Sequence, residues 1–312
     1  MINVAIVGAG SMAKEHIRAF SALNGVQVTG IYSRTRAKAE ALAQEHNFGN
    51  VCDNIAELKE KSAAHLVVVA VPELAANAVA KEVFVHDWAV LLEKPAGYDL
   101  SDAEDIAAAA KGRDKPVMVG FNRRFYSSLQ NILLDVEQRN EHRYVHVQDQ
   151  QNYEEARLHG HPEEVVQKFM YANSIHVIDM MLCLCRGKVT NVQPVMPWKG
   201  ADTEVVLAHI NFDSGDSALY EGIWKGPGPW ACALSTPSRR WVMQPLEKAA
   251  YQNVNERVQN PVEIDPIDVE FKAGFLRQAE AVIARVRGEE SHAVSLEDSL
   301  HTMRLINQIF GV

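Results

Sequence analysis

The sequence predicts a doubly wound parallel α/β domain over residues 1–121, followed by an α+β domain over residues 122–312 with a large, mostly antiparallel sheet. Three observations carry that expectation. The chain opens on an apolar strand, a glycine turn and an amphipathic helix; apolar runs then alternate with helical segments; and after Gly120 strands follow one another at hairpin spacing. At 312 residues, 47% of them hydrophobic, the chain has the length and apolar content for two cores.

Composition excludes several classes of partner. The formal charge of -9 and the lack of any basic stripe argue against a nucleic-acid footprint. Cys52, Cys183, Cys185 and Cys232 form no CxxC pattern and sit mostly in apolar surroundings, which points to reduced, buried thiols and a cytoplasmic setting. The apolar start lacks a basic leader and runs straight into glycines, so it reads as a first strand and not as a secretion signal. No apolar run approaches membrane-spanning length.

The strand Ile2 to Val7 leads into Gly8-Ala9-Gly10-Ser11-Met12-Ala13, and Ile17, Phe20 and Leu23 continue at helical spacing. Gly8 permits the tight turn, Gly10 lets backbone approach a pyrophosphate, and Ala13 lets the helix pack closely on the strand. Phosphates would then meet the helix N-terminus, with Ser11 and Met12 beside them. A GxGxxA string is weak alone, but between a buried strand and an amphipathic helix it reads as dinucleotide binding. The second strand, Val26 to Tyr32, ends in Tyr32-Ser33-Arg34-Thr35-Arg36, where an acid would suit the ribose hydroxyls of NAD. Hydroxyls and guanidinium groups there suit a 2′-phosphate, so Ser33, Arg34, Thr35 and Arg36 favour NADP, with NAD the alternative if both arginines are merely solvated.

Helices are expected near Ala37 to Glu45 and near Ala56 to Lys61, the latter capped by Asp53 or Asn54. Leu66 to Val71 is a continuous apolar run stopped by Pro72, as for a central parallel strand. A helix from Ala75 to Val83 precedes the apolar run Ala89-Val90-Leu91-Leu92-Glu93-Lys94-Pro95. Pro95 cannot continue a ladder, so Lys94 should project at the carboxyl edge of the sheet, where open α/β sheets bind ligands. By itself Lys94 reads as a surface residue; near a cofactor, a lysine with a lowered pKa serves as an acid/base group. Ser101 and Glu104 suggest a capping box for a helix through Ala110, and Val117 to Val119 a further strand.

Past Gly120-Phe121-Asn122-Arg123-Arg124-Phe125 the pattern changes. A helix is expected over Ser128 to Gln138, and strands over Tyr144 to Gln148, Val205 to Phe212, Ala218 to Trp224, Trp230 to Ser235 and Arg240 to Met243. Between them lies Ser174-Ile175-His176-Val177-Ile178-Asp179-Met180-Met181-Leu182-Cys183-Leu184, apolar nearly all round yet bearing His176 and Asp179 one turn apart. Buried ionisable groups need partners or a cavity. A structural pair, two ligands of a metal without a convincing third, and a substrate site all satisfy that need. Tyr153, Arg157, His161 and Trp198 are candidates for substrate specificity. Helices over Phe271 to Val286 and Ser295 to Phe310, with Ser295 and Asp298 at a cap, close the chain, and the last is expected to pack back on the domain junction.

The glycine loop, Glu93-Lys94-Pro95 and the His176-Val177-Ile178-Asp179 helix coincide in order with Gly120-Phe121-Asn122-Arg123-Arg124-Phe125 and Ser295-Leu296-Glu297-Asp298-Ser299-Leu300. With them the whole chain resembles the glucose-fructose oxidoreductase, inositol dehydrogenase and rhizopine-catabolism family. The resemblance implies a Rossmann domain and an open-faced sheet domain that pairs into homodimers or homotetramers. It implies hydride transfer between a nicotinamide and a carbinol carbon of a sugar, polyol or related hydroxylated small molecule. Lys94 would contact the reacting hydroxyl and nicotinamide ribose, His176 would exchange a proton with that hydroxyl, and Asp179 would orient the histidine or bind a neighbouring hydroxyl. Arg124 would lie near cofactor and substrate, Asn173 and Tyr153 on the substrate side, and Pro72 and Glu93 on the cofactor side. The chain departs from the pattern at Ala172 and Ser174, where many members carry aspartate and glycine, and at Val71-Pro72-Glu73-Leu74-Ala75-Ala76, where a cofactor-side asparagine is missing. These departures leave two alternatives beside a dehydrogenase: a cofactor-binding sensor or assembly protein with reduced catalysis, and a redox-neutral glycoside-processing enzyme.

Overall fold

A computed structural model describes residues Met1–Val312. The chain divides into two compact units, Met1–Asn122 with Val269–Leu300, and Arg123–Asp268 with His301–Val312.

In the first unit the strands are β1 (Ile2–Val7), β2 (Val26–Tyr32), β3 (Asn50–Cys52), β4 (Leu66–Val69), β5 (Ala89–Glu93) and β6 (Val117–Gly120). Between them run α1 (Ser11–Ser21), α2 (Arg36–Glu45), α3 (Ile55–Ser62), α4 (Glu73–Phe84) and α5 (Leu100–Ala110). All six strands are parallel, in the order β3-β2-β1-β4-β5-β6. The predicted doubly wound sheet is therefore the observed one. Strand order reverses between β1 and β4, which creates the crevice at the carboxyl ends where such sheets take ligands. Every residue of β4 is buried, as expected of a strand covered on both faces. It ends at Val69, two residues short of the apolar run, because the next carbonyl, that of Ala70, lies against the glycine turn.

Two caps follow local chemistry. Asn54 accepts from the amide of Glu57 at 2.8 Å and starts α3. Asp99 accepts from the amide of Asp102 at 2.9 Å, so α5 starts at Leu100 and Ser101, the expected cap, falls inside the first turn.

In the second unit, α6 (Ser127–Glu137), β7 (Tyr144–Gln150), α7 (Tyr153–Leu158), α8 (Glu163–Gln167) and α9 (Ile175–Leu184) come first. There follow β8 (Val189–Met196), β9 (Val205–Phe212), β10 (Ser217–Ile223), β11 (Trp230–Ser235), β12 (Arg239–Met243), β13 (Ala249–Asn253) and β14 (Asn260–Val262). These strands form one eight-stranded sheet in the order β14-β13-β12-β11-β7-β10-β9-β8, antiparallel except where β10 runs parallel to β7. Along β9, Val206, Ala208, Ile210 and Phe212 are buried while Val205, Leu207, His209 and Asn211 are half-exposed, so one face is covered and the other open. Helix α9 packs on the covered face, against β7 and β11.

The chain closes with α10 (Pro266–Glu270), α11 (Phe275–Arg287) and α12 (Leu296–Phe310). α11 begins four residues later than its pattern suggested because Gly274, at φ +76°, turns the chain immediately before it. Ser295 caps α12 as expected: its hydroxyl accepts from the amide of Asp298 at 3.0 Å. No helix is long and apolar enough to cross a membrane.

Candidate functional site

The first unit builds its part of the site from the glycine turn. Gly8 adopts φ +111°, and a Cβ placed on it would lie 2.0 Å from the carbonyl oxygen of Ala70. No side chain fits there, so the turn presses directly on the end of β4. Gly10 is different: it stands at the N-cap of α1, and a Cβ there would meet no protein atom within 4 Å. Nothing in the protein's own packing excludes a side chain at Gly10. What a side chain would fill is open space over the first amides of α1, the cradle a pyrophosphate needs. Ser11 is exposed and Met12 half-exposed at the same helix start, while Ala13 is fully buried against the sheet. The residues present thus fit a dinucleotide.

At the end of β2, the amide of Thr35 donates to the hydroxyl of Ser33 at 3.3 Å. Arg36 is already engaged: its Nε donates to Glu40 at 2.9 Å and its Nη1 pairs with Asp53. Arg34 is exposed and forms no ion pair, which leaves it as the available guanidinium of the two. No acid occupies Tyr32 through Arg36.

Lys94 follows β5 directly, at the same carboxyl edge as the glycine turn, with β4 between the two strands. It is half-buried, and the Lys94–Pro95 peptide is cis. Pro72, at the N-cap of α4, lies on that edge as well and is exposed. Glu93 is turned inward. Its Oε1 lies 2.6 Å from Nε2 of the buried His16 on α1, and its Oε2 accepts from the backbone amide of Lys94 at 3.2 Å. The expected cofactor contact at Glu93 is thus an internal brace that joins the dinucleotide helix to the backbone of Lys94. Phe275 packs against the His16 ring at 4.9 Å between centroids.

In the second unit, His176 and Asp179 lie on α9, 6% and 2% exposed. Asp179 does not end in open space. Its Oδ2 accepts from Nε of Arg124 and its Oδ1 from Nη2, both at 2.7 Å, and Oδ1 also accepts from the Thr302 hydroxyl at 2.7 Å. This bidentate pair fixes the Arg124 guanidinium, so Asp179 orients an arginine where the resemblance implied a histidine or a substrate hydroxyl. The Cys183 thiol lies 3.7 Å from Asp179, and burial pushes it up to about 12, too high for a nucleophile at neutral pH.

Immediately before α9, Met170–Ser174 form one π-helical turn. Ala172, where the resemblance implied an aspartate, lies in that turn and carries only an inert methyl. A different carboxyl group supports the same turn. Asn173 donates to Oε1 of Gln151 at 3.0 Å, the Gln151 amide donates to Asp149, and the Tyr220 hydroxyl donates to Asp149 at 2.7 Å. Asp149 is wholly buried. Burial pushes its carboxyl up, against hydrogen bonds from Tyr220 and Gln151 and the charge of Arg123 that act the other way. Asn173, expected on the substrate side, is held in this chain of bonds.

Tyr153 opens α7, half-exposed, and joins Trp198 and Trp224 in an aromatic group, its ring 6.3 and 5.0 Å from theirs. No group of three or more His, Cys, Asp or Glu side chains is gathered to hold a metal ion. Asp149, Gln151, Tyr220 and Thr302 were missed by the sequence reading. For Asp149 a signal existed: Val145 and Val147 set the inward phase of β7, and Asp149 continues it.

The fold and the glycine cradle define a dinucleotide-binding α/β protein with a second, sheet-bearing unit. Residues 2–121 match an oxidoreductase family with an NAD-binding Rossmann fold. That stretch is what the chain shares with the glucose-fructose oxidoreductase, inositol dehydrogenase and rhizopine-catabolism family. Glucose-6-phosphate 3-dehydrogenase of Bacillus subtilis is 29% identical over 133 residues, 43% of this chain and 37% of that protein. 4-Carboxy-2-hydroxymuconate-6-semialdehyde dehydrogenase of Sphingobium sp. is 20% identical across 99% of this chain and 98% of that protein. A dehydrogenase structure from Chromobacterium violaceum shares the fold with a TM-score of 0.83 at 19% identity, covering 99% of this chain and 94% of that one. The chain spans only 35%, 37% and 40% of the length of three curated oxidoreductase relatives it matches.

Proposed function

We propose that this protein is an NADP-preferring dehydrogenase acting on a CH–OH group of a sugar, polyol or similar small molecule, with Lys94 and His176 as its acid/base groups. The observation that carries the reading is the open space at Gly10 over the α1 N-terminus, on the same sheet edge as Lys94. A nicotinamide bound there supplies the acceptor or donor of a hydride. The chain's residues do the rest. The Lys94 amine takes the hydroxyl proton as the carbinol carbon is oxidised, and His176 shares or relays it. Arg124, fixed by Asp179, binds an oxygen of the substrate, and Tyr153 offers an aromatic face. Arg34, with Ser33 and Thr35, binds the 2′-phosphate, which is what favours NADP over NAD.

Steady-state assays of sugars and polyols against NADP and NAD, followed at the reduced-nicotinamide absorbance, test this reading. It expects turnover with at least one neutral polyol and a lower KM for NADP. Strict NAD dependence would overturn the cofactor assignment. A second reading, a cofactor-binding protein that has lost turnover, is favoured by Ala172. Tight NADPH binding with no turnover across that panel would select it. We further propose that the open sheet face, with half-exposed Val205, Leu207, Leu219 and Ile223, is covered by a second copy of the chain. Light scattering reporting a monomer would remove that part.

A further inference from the structure

The second unit contains a cavity of about 270 Å³ lined by Tyr153, Arg157, Glu163, Val166, Gln167 and Trp198. We infer that this cavity binds one neutral, monosaccharide-sized hydroxylated ring and rejects rings that carry phosphate or a nucleotide. The inference rests on the dehydrogenase reading only for its role as a specificity site; the binding itself does not depend on turnover.

Size is the first argument. Small-molecule pockets run from about 300 to 1,000 Å³, so a cavity at or below the lower limit suits a single ring and has no room for a nucleotide besides. The walls are the second. Trp198 and Tyr153 are half-exposed, and behind them Trp224 and Phe310 are buried, with Trp198 4.8 Å from Trp224 and 5.5 Å from Phe310. The buried pair holds the outer two rings in place. Their exposed faces are electron-rich, and they suit the C–H face of a sugar or cyclitol ring. Gln167 adds an amide that can both donate to and accept from hydroxyl groups.

Charge is the third argument, and it decides between neutral and anionic ligands. Arg157 is the sole cationic residue in the lining. Its Nε and Nη2 donate to the two carboxylate oxygens of Glu163 at 3.0 and 2.9 Å, and its Nη1 donates to Glu154 at 2.5 Å. Within the lining the charges of Arg157 and Glu163 cancel, and each nitrogen of the guanidinium already donates to a carboxylate. An incoming phosphate would find the arginine taken and Glu163 repelling it. Ring hydroxyls find an acceptor in the Glu163 carboxylate. The Glu163 carboxyl is held below its usual range chiefly by its hydrogen bond from Arg157, so it stays ionised at neutral pH.

The test is a titration of the full chain with glucose, myo-inositol and glucose 6-phosphate, read by intrinsic tryptophan fluorescence and, separately, by KM in the turnover assay. Saturable fluorescence changes with a neutral ring, and at least about tenfold weaker response to the phosphate ester, are expected; tenfold corresponds to about 1.4 kcal/mol. Ala201→Leu, which adds bulk to an exposed lining residue without touching the aromatic core, should weaken neutral-ring binding at least as much. Glu163→Gln should narrow the gap between neutral and phosphorylated rings. Equal or tighter binding of glucose 6-phosphate, or unchanged binding in Ala201→Leu, overturns the inference. Neutral-ring binding without any turnover leaves the inference standing and removes the dehydrogenase reading. Turnover whose KM ignores Ala201→Leu does the reverse.

Discussion

The two units assemble their functional residues in opposite ways. In the first, every nominated group sits within a few residues of a strand end: Gly8 and Gly10 after β1, Ser33 to Arg36 after β2, Pro72 after β4, Lys94 after β5. Parallel topology alone brings those ends to one edge. In the second, the groups meet through side chains far apart in sequence. Arg124 reaches Asp179 across 55 positions, Thr302 reaches it across 123, and Tyr220 reaches Asp149 across 71. The first unit is organised by backbone geometry, the second by buried charge and hydrogen bonding.

Substitutions can break this contrast, and the largest effect is expected at Lys94. Lys94→Ala should lower turnover by about 10²- to 10⁴-fold, the usual share of a general acid or base, while NADPH affinity measured by fluorescence stays within about twofold. Turnover near wild type would mean that the parallel sheet edge does not carry the chemistry.

Asp179→Ala comes next. It removes the buried carboxylate that accepts from both Arg124 and Thr302, and losing one partner of a buried pair costs about 3–5 kcal/mol. Urea unfolding should show that loss, whereas Asp179→Asn, which can still accept from Thr302, should recover part of it. A difference below about 1 kcal/mol between Asp179→Ala and wild type would mean the pair is not what holds α9.

Arg34→Ala sharpens the other side of the comparison. Loss of charge-assisted hydrogen bonds to a phosphate costs about 1.5–3 kcal/mol, roughly ten- to hundredfold in NADPH affinity, with NADH affinity unchanged. Arg36→Ala should change NADPH affinity far less, because Glu40 and Asp53 already hold that side chain. Equal losses in both variants would show that the ion pairs open on binding.

The smallest effect is a pH dependence confined to the second unit. Burial pushes the Asp216 carboxyl up, but hydrogen bonds from the Arg186 side chain and from the backbone amides of Arg186 and Arg143 outweigh it and hold the group at about 2. A carboxyl depressed in the folded state from 3.8 contributes stability that is fully present above about pH 4 and is lost as pH falls towards 2. Allowing for solvent screening, that contribution is about 1–2 kcal/mol. Asp216→Asn should flatten the acid limb of the denaturation profile between those values; an unchanged limb would assign it to other carboxylates.

Legibility in the sequence followed the same division. The glycine turn, the Pro72 and Pro95 stops and the run Leu66 to Val69 are local signals, and the doubly wound parallel sheet they imply is the one observed. Strand ends, caps and short elements were less legible. Ser101 lost the cap to Asp99 because either residue satisfies the same amides, and β8 was hidden by Pro194 and by its exposed polar positions. In the second unit, His176 and Asp179 stood out as ionisable groups on an apolar helix, but their partners did not. No local pattern tells a reader that Thr302 meets Asp179, or that Asp149 and Gln151 support the turn where Ala172 stands. Asp149 alone was readable, from its inward phase on β7.

Hydride transfer itself is the central claim, and isotope transfer tests it most directly. The wild-type chain, incubated with NADP and a panel of sugars and cyclitols deuterated on carbon, should yield reduced cofactor carrying deuterium at the nicotinamide ring, read by mass spectrometry. Bound NADP that remains free of deuterium across the whole panel would contradict the account and leave a cofactor-binding protein without dehydrogenase activity.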